Sequence, residues 1–246
     1  MSPRMPWLVT RDTPALRHMA DLAEALHRSV HLVAQVAGTR GPEADRAARE
    51  LEELDSSSSA TLMAFLTALR SAYVTPLPRQ DLYRLASGVH ATTRRVVSAG
   101  VLIQRADLEE LPTHALDVLE TVGRQAELLA RGAAEMRDLD ALEATWMQLL
   151  RASRRTERIM VEWLADLGMD LLQRDFNRQR EVAWALQSAL EALGRVMPEV
   201  GEAQARWVVE HLRERGVEDL AQITLMSDGA SVYECTSADE VIDLVQ

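Results

Sequence analysis

The sequence predicts a nearly all-α protein. Ala, Leu, Glu and Arg dominate the composition, whereas Gly contributes 11 and Pro 8 of the 246 residues. These abundant residues are good helix formers, and the residues that interrupt helices are few. Long amphipathic stretches are separated by short segments that contain Pro or Gly. With 47% apolar residues, the chain can also bury a sizeable core without metals or disulfides.

Six helices are expected in the first part of the chain. The first runs from about Pro14 to Ala37, with Asp12 or Thr13 as its cap and Gly38 at its end. The other five are expected at about 42–73, 79–106, 112–136, 139–172 and 177–197. Pro198 is expected to close the set, because proline cannot continue the hydrogen-bond pattern of a helix.

An internal repeat is suggested by the middle of the second and fifth helices. At an offset of 98 residues, Leu62 to Leu69 align with Met160 to Leu167. A chance match of two apolar helices is the alternative. If the repeat is real, residues 12–106 and 112–197 form two three-helix halves.

Residues 200–246 have a different character and are predicted to form a small α/β appendage. A helix is expected from Glu202 to Arg215, a β-hairpin from Ile223 to Cys235, and a last short helix that ends at Val245. A two-stranded hairpin is marginal on its own. We therefore expect it to pack on the helices or on a second copy of the chain, which makes a homo-oligomer the preferred state.

Charge and composition exclude several classes of protein. The formal net charge of -11 argues against nucleic-acid binding, although a local patch at Arg151, Arg154, Arg155 and Arg158 stays open. The single cysteine, Cys235, excludes an internal disulfide and a cysteine-based zinc cluster. Neither a signal peptide nor a transmembrane span is visible in the sequence. We expect a cytoplasmic protein, or one attached to the inner face of a membrane.

The turn between the second and third helices has the most specific sequence. It reads Tyr73-Val74-Thr75-Pro76-Leu77, followed by Arg79, Asp81, Leu82, Leu85 and Ala86. This stretch resembles the PhoU-like phosphate transport regulators, in the branch that accompanies Pit-type phosphate permeases. Pro78 and Gln80 replace two acids of that pattern. The resemblance covers roughly residues 12 to 197 and implies a fold of two three-helix bundles side by side.

The resemblance also implies where metal ligands would lie. Members of the family carry acid pairs four residues apart on two facing helices of each half, and residues at this spacing share a helix face. In this chain the equivalent positions are Asp55 and Ser59, His90 and Arg94, Ser153 and Glu157, and Gln187 and Glu191.

At most one acid survives at each of these four positions, so the metal sites are expected to be degenerate. In the first half, Arg94 is expected to pair with Asp55 in place of a cation, because a guanidinium cannot ligate a metal. In the second half, Glu157 and Glu191 are candidate ligands for one weakly bound ion, with Ser153 and Gln187 as neutral ligands. The alternative is that these residues, and His90, are hydrogen-bonded polar positions at helix interfaces, with Glu157 near an apolar seam. No other cofactor is expected.

No catalytic motif stands out, so we expect a protein that is not an enzyme. Trp146, Trp163 and Trp184 fall on helical seams and are interpreted as core or interface anchors. The resemblance implies a regulatory or accessory protein that contacts a phosphate permease or its regulators. The alternative is a helical-bundle scaffold or oligomerisation protein unrelated to phosphate.

Overall fold

The computed structural model describes residues 13–72, 75, 77–106, 111–134, 139–167, 173–214, 223–227 and 231–235. Side chains are described over the same ranges except at 139–144, 146, 174, 197–214 and the two strands. Within these ranges the chain forms six helices and two short strands. The helices are α1 (Pro14–Gly38), α2 (Pro42–Ser71), α3 (Arg79–Ala106), α4 (Thr113–Ala134), α5 (Leu139–Asp166) and α6 (Gln173–Glu214).

The helix starts follow from local chemistry that is visible in the sequence. Thr13 caps α1, and its Oγ1 accepts a hydrogen bond from the Leu16 backbone N–H at 3.4 Å. Pro42 stands in the first turn of α2, where its missing N–H costs nothing, and Gly41 before it adopts φ 64°. The carbonyl of Pro78 accepts a bond from the Leu82 N–H at 3.1 Å, which opens α3. The predicted helices therefore begin where expected, within a few residues. The predicted end of the fifth helix, 168–172, lies outside the described residues.

The prediction that Pro198 closes the sixth helix is wrong. One helix, α6, runs without interruption from Gln173 to Glu214 and includes the segment predicted as a separate helix from Glu202. A proline within a helix removes one backbone hydrogen bond and crowds the carbonyl four residues earlier, but a helix can continue past it. Helix formers such as Glu199 and Glu202 lie on its C-terminal side and continue the helix.

The helices pack around α1 and α3. Helix α1 contacts α2, α3 and α4, and α2 also contacts α3. Helix α4 packs extensively on α5 but only slightly on α6, while α6 makes its main contact with α3. A hydrogen bond of 2.9 Å from Arg95 to Ser188 joins α3 to α6.

Burial repeats between α2 and α5 at the predicted offset of 98 residues. Phe65 (0% exposed) corresponds to Trp163 (2%), and Leu69 (6%) corresponds to Leu167 (5%). The exposed positions correspond as well, because Met63 is 64% exposed and Val161, at the same offset, is 67% exposed. The two helices therefore present equivalent faces to the core over this stretch.

The two strands, β1 (Ile223–Ser227) and β2 (Ser231–Cys235), pair antiparallel, with Leu225 opposite Tyr233. Their side chains and the segments on either side lie outside the described part of the chain. The α/β appendage as a packed unit therefore stays a prediction. None of the helices among the described residues combines the length and apolar character needed to cross a membrane.

Candidate functional site

The first candidate site lies between α2 and α3. Arg94 Nε lies 3.8 Å from Asp55 Oδ1, so the predicted ion pair is present. The Arg94 side chain is 67% exposed and the Asp55 side chain 36%, although the Oδ1 atom of Asp55 is itself buried. Ser59, the other predicted position on α2, is exposed and donates its hydroxyl hydrogen bond to the Asp55 carbonyl at 3.0 Å.

His90 is held against α2 by a buried serine. Ser58 Oγ and His90 Nδ1 form a hydrogen bond of 3.1 Å, and Ser58 is 1% exposed. Burial lowers the pKa of His90 from its ordinary value of 6.5; the Asp55 carboxylate acts in the opposite direction, and Arg94 adds to the lowering. The alternative prediction for His90, a hydrogen-bonded residue at a helix interface, therefore describes its surroundings.

Asp55 has one oxygen in an unfavourable position. Its Oδ1 atom is buried and has no hydrogen-bond partner, since the 3.8 Å to Arg94 Nε exceeds hydrogen-bond length. A buried acceptor without a partner costs about 1–3 kcal/mol. For this oxygen, the alternative prediction of a hydrogen-bonded polar position does not hold.

The second candidate site, on α5 and α6, is more open than expected. Glu157 is exposed, so the prediction that it lies near an apolar seam is wrong; Thr156, one residue earlier, occupies the seam. Gln187 donates a hydrogen bond to Glu191 at 3.2 Å within α6, and the Glu191 side chain is exposed. Ser153 is half-buried. Within the described residues, no three His, Cys, Asp or Glu side chains group in a way that could hold a metal ion.

Ser58 on α2 and Thr156 on α5 are buried polar residues that sequence reasoning did not select. They are 98 residues apart, the offset of the repeat, and they are 1% and 0% exposed. Each lies in the middle of an apolar seam with a spacing of seven residues. These seams are Leu51, Ser58 and Phe65 on α2, and Leu149, Thr156 and Trp163 on α5.

The spacing of seven residues would have identified Ser58 and Thr156 from the sequence, because residues seven apart share a helix face. The acid-pair pattern selected Ser59 and Glu157 instead, each one residue further along the chain. A step of one residue turns a side chain by about 100° around the helix axis, out of the seam and towards solvent.

Thr156 links α5 to α4. Gln125 Nε2 donates to Thr156 Oγ1 at 2.6 Å, and the threonine hydroxyl donates in turn to the Ala152 carbonyl at 2.9 Å. Gln125 is 2% exposed, so this link lies inside the protein. A buried hydrogen bond with both partners satisfied fixes the register of two helices more firmly than apolar contacts do.

No protein family description matches the chain. A stretch of 41 residues, 17% of the chain, is 71% identical to proteins named as uncharacterized HTH-type transcriptional regulators. These relatives come from Mycobacterium bovis and from two strains of Mycobacterium tuberculosis. The chain covers 18% of their length, so the similarity concerns less than a fifth of either protein.

Proposed function

We propose that this chain is a non-enzymatic regulatory protein that acts by binding a partner protein. By its resemblance to the PhoU-like regulators, the partner is a phosphate permease or one of the proteins that regulate it. The proposed architecture is that of two three-helix halves whose family metal sites have degenerated. The arrangement at Asp55 and Arg94 supports the loss of metal binding, because a guanidinium occupies the position of an acid.

The observation that carries the proposal is the exposure of Trp184. This tryptophan on α6 is 75% exposed, although it is the largest apolar side chain type and helix α6 packs on α3. Val161 and Leu164 on the neighbouring helix α5 are 67% and 41% exposed, and their spacing of three residues puts them on one face. Tryptophan is enriched among the residues that dominate binding energy at protein interfaces. Contiguous exposed apolar patches mark interaction sites, and we infer that these three residues contribute to one such surface.

The similarity to HTH-type transcriptional regulators supports a regulatory role in general terms. It covers too little of those proteins to transfer DNA binding to this chain. The net charge of -11 also disfavours direct binding to nucleic acid. The alternative function, a scaffold or oligomerisation protein unrelated to phosphate, uses the same exposed surface for a second copy of the chain.

Photo-crosslinking distinguishes these two functions. A photoreactive phenylalanine derivative would be placed at position 184 and, as the control, at position 49, which is exposed on α2. After expression and irradiation in the source organism, mass spectrometry would identify the crosslinked peptides. We expect position 184, and not position 49, to crosslink to a phosphate permease or to a protein that regulates phosphate uptake.

The other outcomes are equally informative. Crosslinks confined to a second copy of this chain would favour the scaffold function. Equal crosslinking from positions 184 and 49 would show that the surface around Trp184 is not a specific binding site, and the proposal would be abandoned.

A further inference from the structure

A cleft of about 530 Å³ opens between α4 and α5 and reaches α1. Its size is that of a small-molecule site. The floor includes Thr121, Leu128 and Ala152, and the rim carries charged side chains. The charged and ionisable residues of the cleft are His27, Glu120, Arg124, Glu127, Arg151 and Arg155.

Three arginines of this cleft have no ionic partner within the described residues. No carboxylate approaches the guanidinium groups of Arg124, Arg151 or Arg155 within 4.0 Å in that part of the chain. Arg151 and Arg155 lie four residues apart and share a face of α5. In a protein with a net charge of -11, three such guanidiniums around one cleft form a local anion-binding surface.

The buried link between α4 and α5 positions these arginines. Gln125 and Thr156, joined at 2.6 Å, each directly follow a cleft arginine in the sequence, Arg124 and Arg155. The fixed register of the two helices therefore keeps Arg124 and Arg155 at the same cleft. A site on two helices that are fixed by a buried hydrogen bond is pre-organised for its ligand.

The acids of the cleft narrow the choice of ligand. Glu120 and Glu127 carry two negative charges against three positive ones, so a bare anion gains little from the cleft as a whole. Carboxylates accept hydrogen bonds from hydroxyl and amino groups. His27 also lies at the cleft, 3.8 Å from Glu24 on its own helix. The cleft thus suits a ligand that combines an anionic group with hydrogen-bond donors.

A smaller, apolar cavity of about 320 Å³ continues the cleft along α1 and α4. It shares His27, Glu120 and Gly123 with the larger cleft. Its walls include Val30, Ala34, Leu116 and Leu119, and Leu116 is 45% exposed. A single ligand can therefore contact the arginines at one end and apolar side chains at the other.

We propose that this groove binds a nucleoside phosphate, with the phosphate at the three arginines, the sugar hydroxyls near Glu120 and Glu127, and the base against Leu116. Arginine prefers to pair with two oxygens of an anionic group. A carboxylate group has only two oxygens, too few for three guanidiniums, whereas a terminal phosphate offers three. The inference goes beyond the proposed partner binding and does not depend on it, because Trp184, Val161 and Leu164 do not line the groove.

Isothermal titration calorimetry at low salt tests the assignment with three probes: inorganic phosphate, a hexose phosphate and ATP without added metal. The full chain should bind ATP most tightly and inorganic phosphate most weakly. The double variant Arg151→Gln/Arg155→Gln should weaken ATP binding at least tenfold. Arg158→Gln is the matched control on the same helix, since Arg158 is exposed and does not line the groove.

Leu116→Ala tests the apolar end separately. It should weaken ATP binding several-fold and leave inorganic phosphate binding unchanged. All substituted side chains are exposed, so thermal unfolding followed by circular dichroism should show intact helices in every variant. The assignment is overturned if the unmodified protein binds none of the probes, if ATP binds no better than inorganic phosphate, or if the double arginine variant binds ATP as the Arg158 control does.

Discussion

Ser58 Oγ lies 3.1 Å from His90 Nδ1, and this hydrogen bond ties α2 to α3 at the centre of an otherwise apolar seam. Thr156, 98 residues later, makes the equivalent inward contact on α5 but reaches Gln125 on α4. The two hydroxyls occupy equivalent seam positions but bond to different kinds of neighbour. Ser58 bonds to the helix that follows its own in the chain, whereas Thr156 bonds to the helix that precedes its own.

The Ser58–His90 contact predicts a dependence of stability on pH. Burial lowers the pKa of His90 in the folded protein below 6.5, so the unfolded chain takes up the proton first as the pH falls. The stabilisation is therefore complete above pH 6.5 and is lost as the pH falls through the folded pKa. Urea unfolding at pH 7.5 and pH 5 should show a smaller fall in the free energy of unfolding for His90→Gln than for the unmodified protein.

His31→Gln is the control for this experiment, since His31 is exposed on α1 and its ring forms a hydrogen bond of 3.2 Å with Gln35. This variant should keep the pH dependence of the unmodified protein. If His90→Gln and His31→Gln lose stability in parallel between the two pH values, the buried histidine is not the group responsible.

Much of the fold was accessible from the sequence because its determinants are local. Thr13 as a cap and Pro42 in a first turn mark helix starts by short-range chemistry, and the structure places both as expected. Pro198 misled the prediction because its effect depends on how the rest of the helix is held. The helix continues past Pro198 to Glu214, which this single residue did not reveal.

The candidate site was less accessible, for a geometric reason. The resemblance placed candidate site residues at Ser59 and Glu157, and each lies one residue away from the buried seam of its helix. Ser58 and Thr156 are polar residues among apolar ones, and by residue type alone they look like surface positions. Only the spacing of seven residues, which places Ser58 between Leu51 and Phe65, puts it in the buried seam. Partners such as Gln125 come from another helix and are defined only by tertiary packing.

Removal of the Thr156 hydroxyl should destabilise the protein. Thr156→Val keeps the shape but leaves the Gln125 amide buried without its acceptor, at a cost of about 1–3 kcal/mol. Thr156→Ser keeps the hydroxyl and should lose less than Thr156→Val when unfolding is measured in urea. If the serine variant is the less stable of the two, the methyl group matters more than the hydrogen bond.

The Asp55–Arg94 ion pair should contribute little to stability. Arg94 is 67% exposed, and exposed ion pairs contribute about 0–1 kcal/mol, so Arg94→Ala should change the free energy of unfolding by less than about 1 kcal/mol. Asp55→Ala should be neutral or stabilising, because it removes a buried oxygen that has no hydrogen-bond partner. A large loss of stability in either variant would show that the carboxylate and the guanidinium interact more strongly than expected for exposed groups 3.8 Å apart.

Two helix glycines should respond oppositely to alanine. A methyl group at Gly100 would lie 2.5 Å from Leu51 Cδ2 and 2.8 Å from Val33 Cγ2, and both neighbours are fully buried. Overpacking costs about 1–3 kcal/mol, more than the gain of about 1 kcal/mol in helix propensity, so Gly100→Ala should destabilise the α1–α2–α3 contact.

At Gly194 on α6 the added methyl group meets nothing within 4 Å. Gly194→Ala should therefore stabilise by up to about 1 kcal/mol through helix propensity alone. Thermal unfolding of the two variants checks both signs. Stabilisation by Gly100→Ala would contradict the close packing of α3 on α1 and α2.

The last prediction concerns self-association through the C-terminal strands. A cut after Pro198 would divide α6, so the truncation that tests this segment ends at Glu214 and removes β1 and β2 together. Two paired strands expose unpaired backbone groups on both edges, and such edges readily pair with another chain. The full chain should therefore have a higher mass in light scattering than the chain that ends at Glu214, while circular dichroism shows the helices of both. Equal masses would mean that the strands do not hold subunits together, and a second copy would then have to bind elsewhere, with the exposed Trp184 surface as the next position to test.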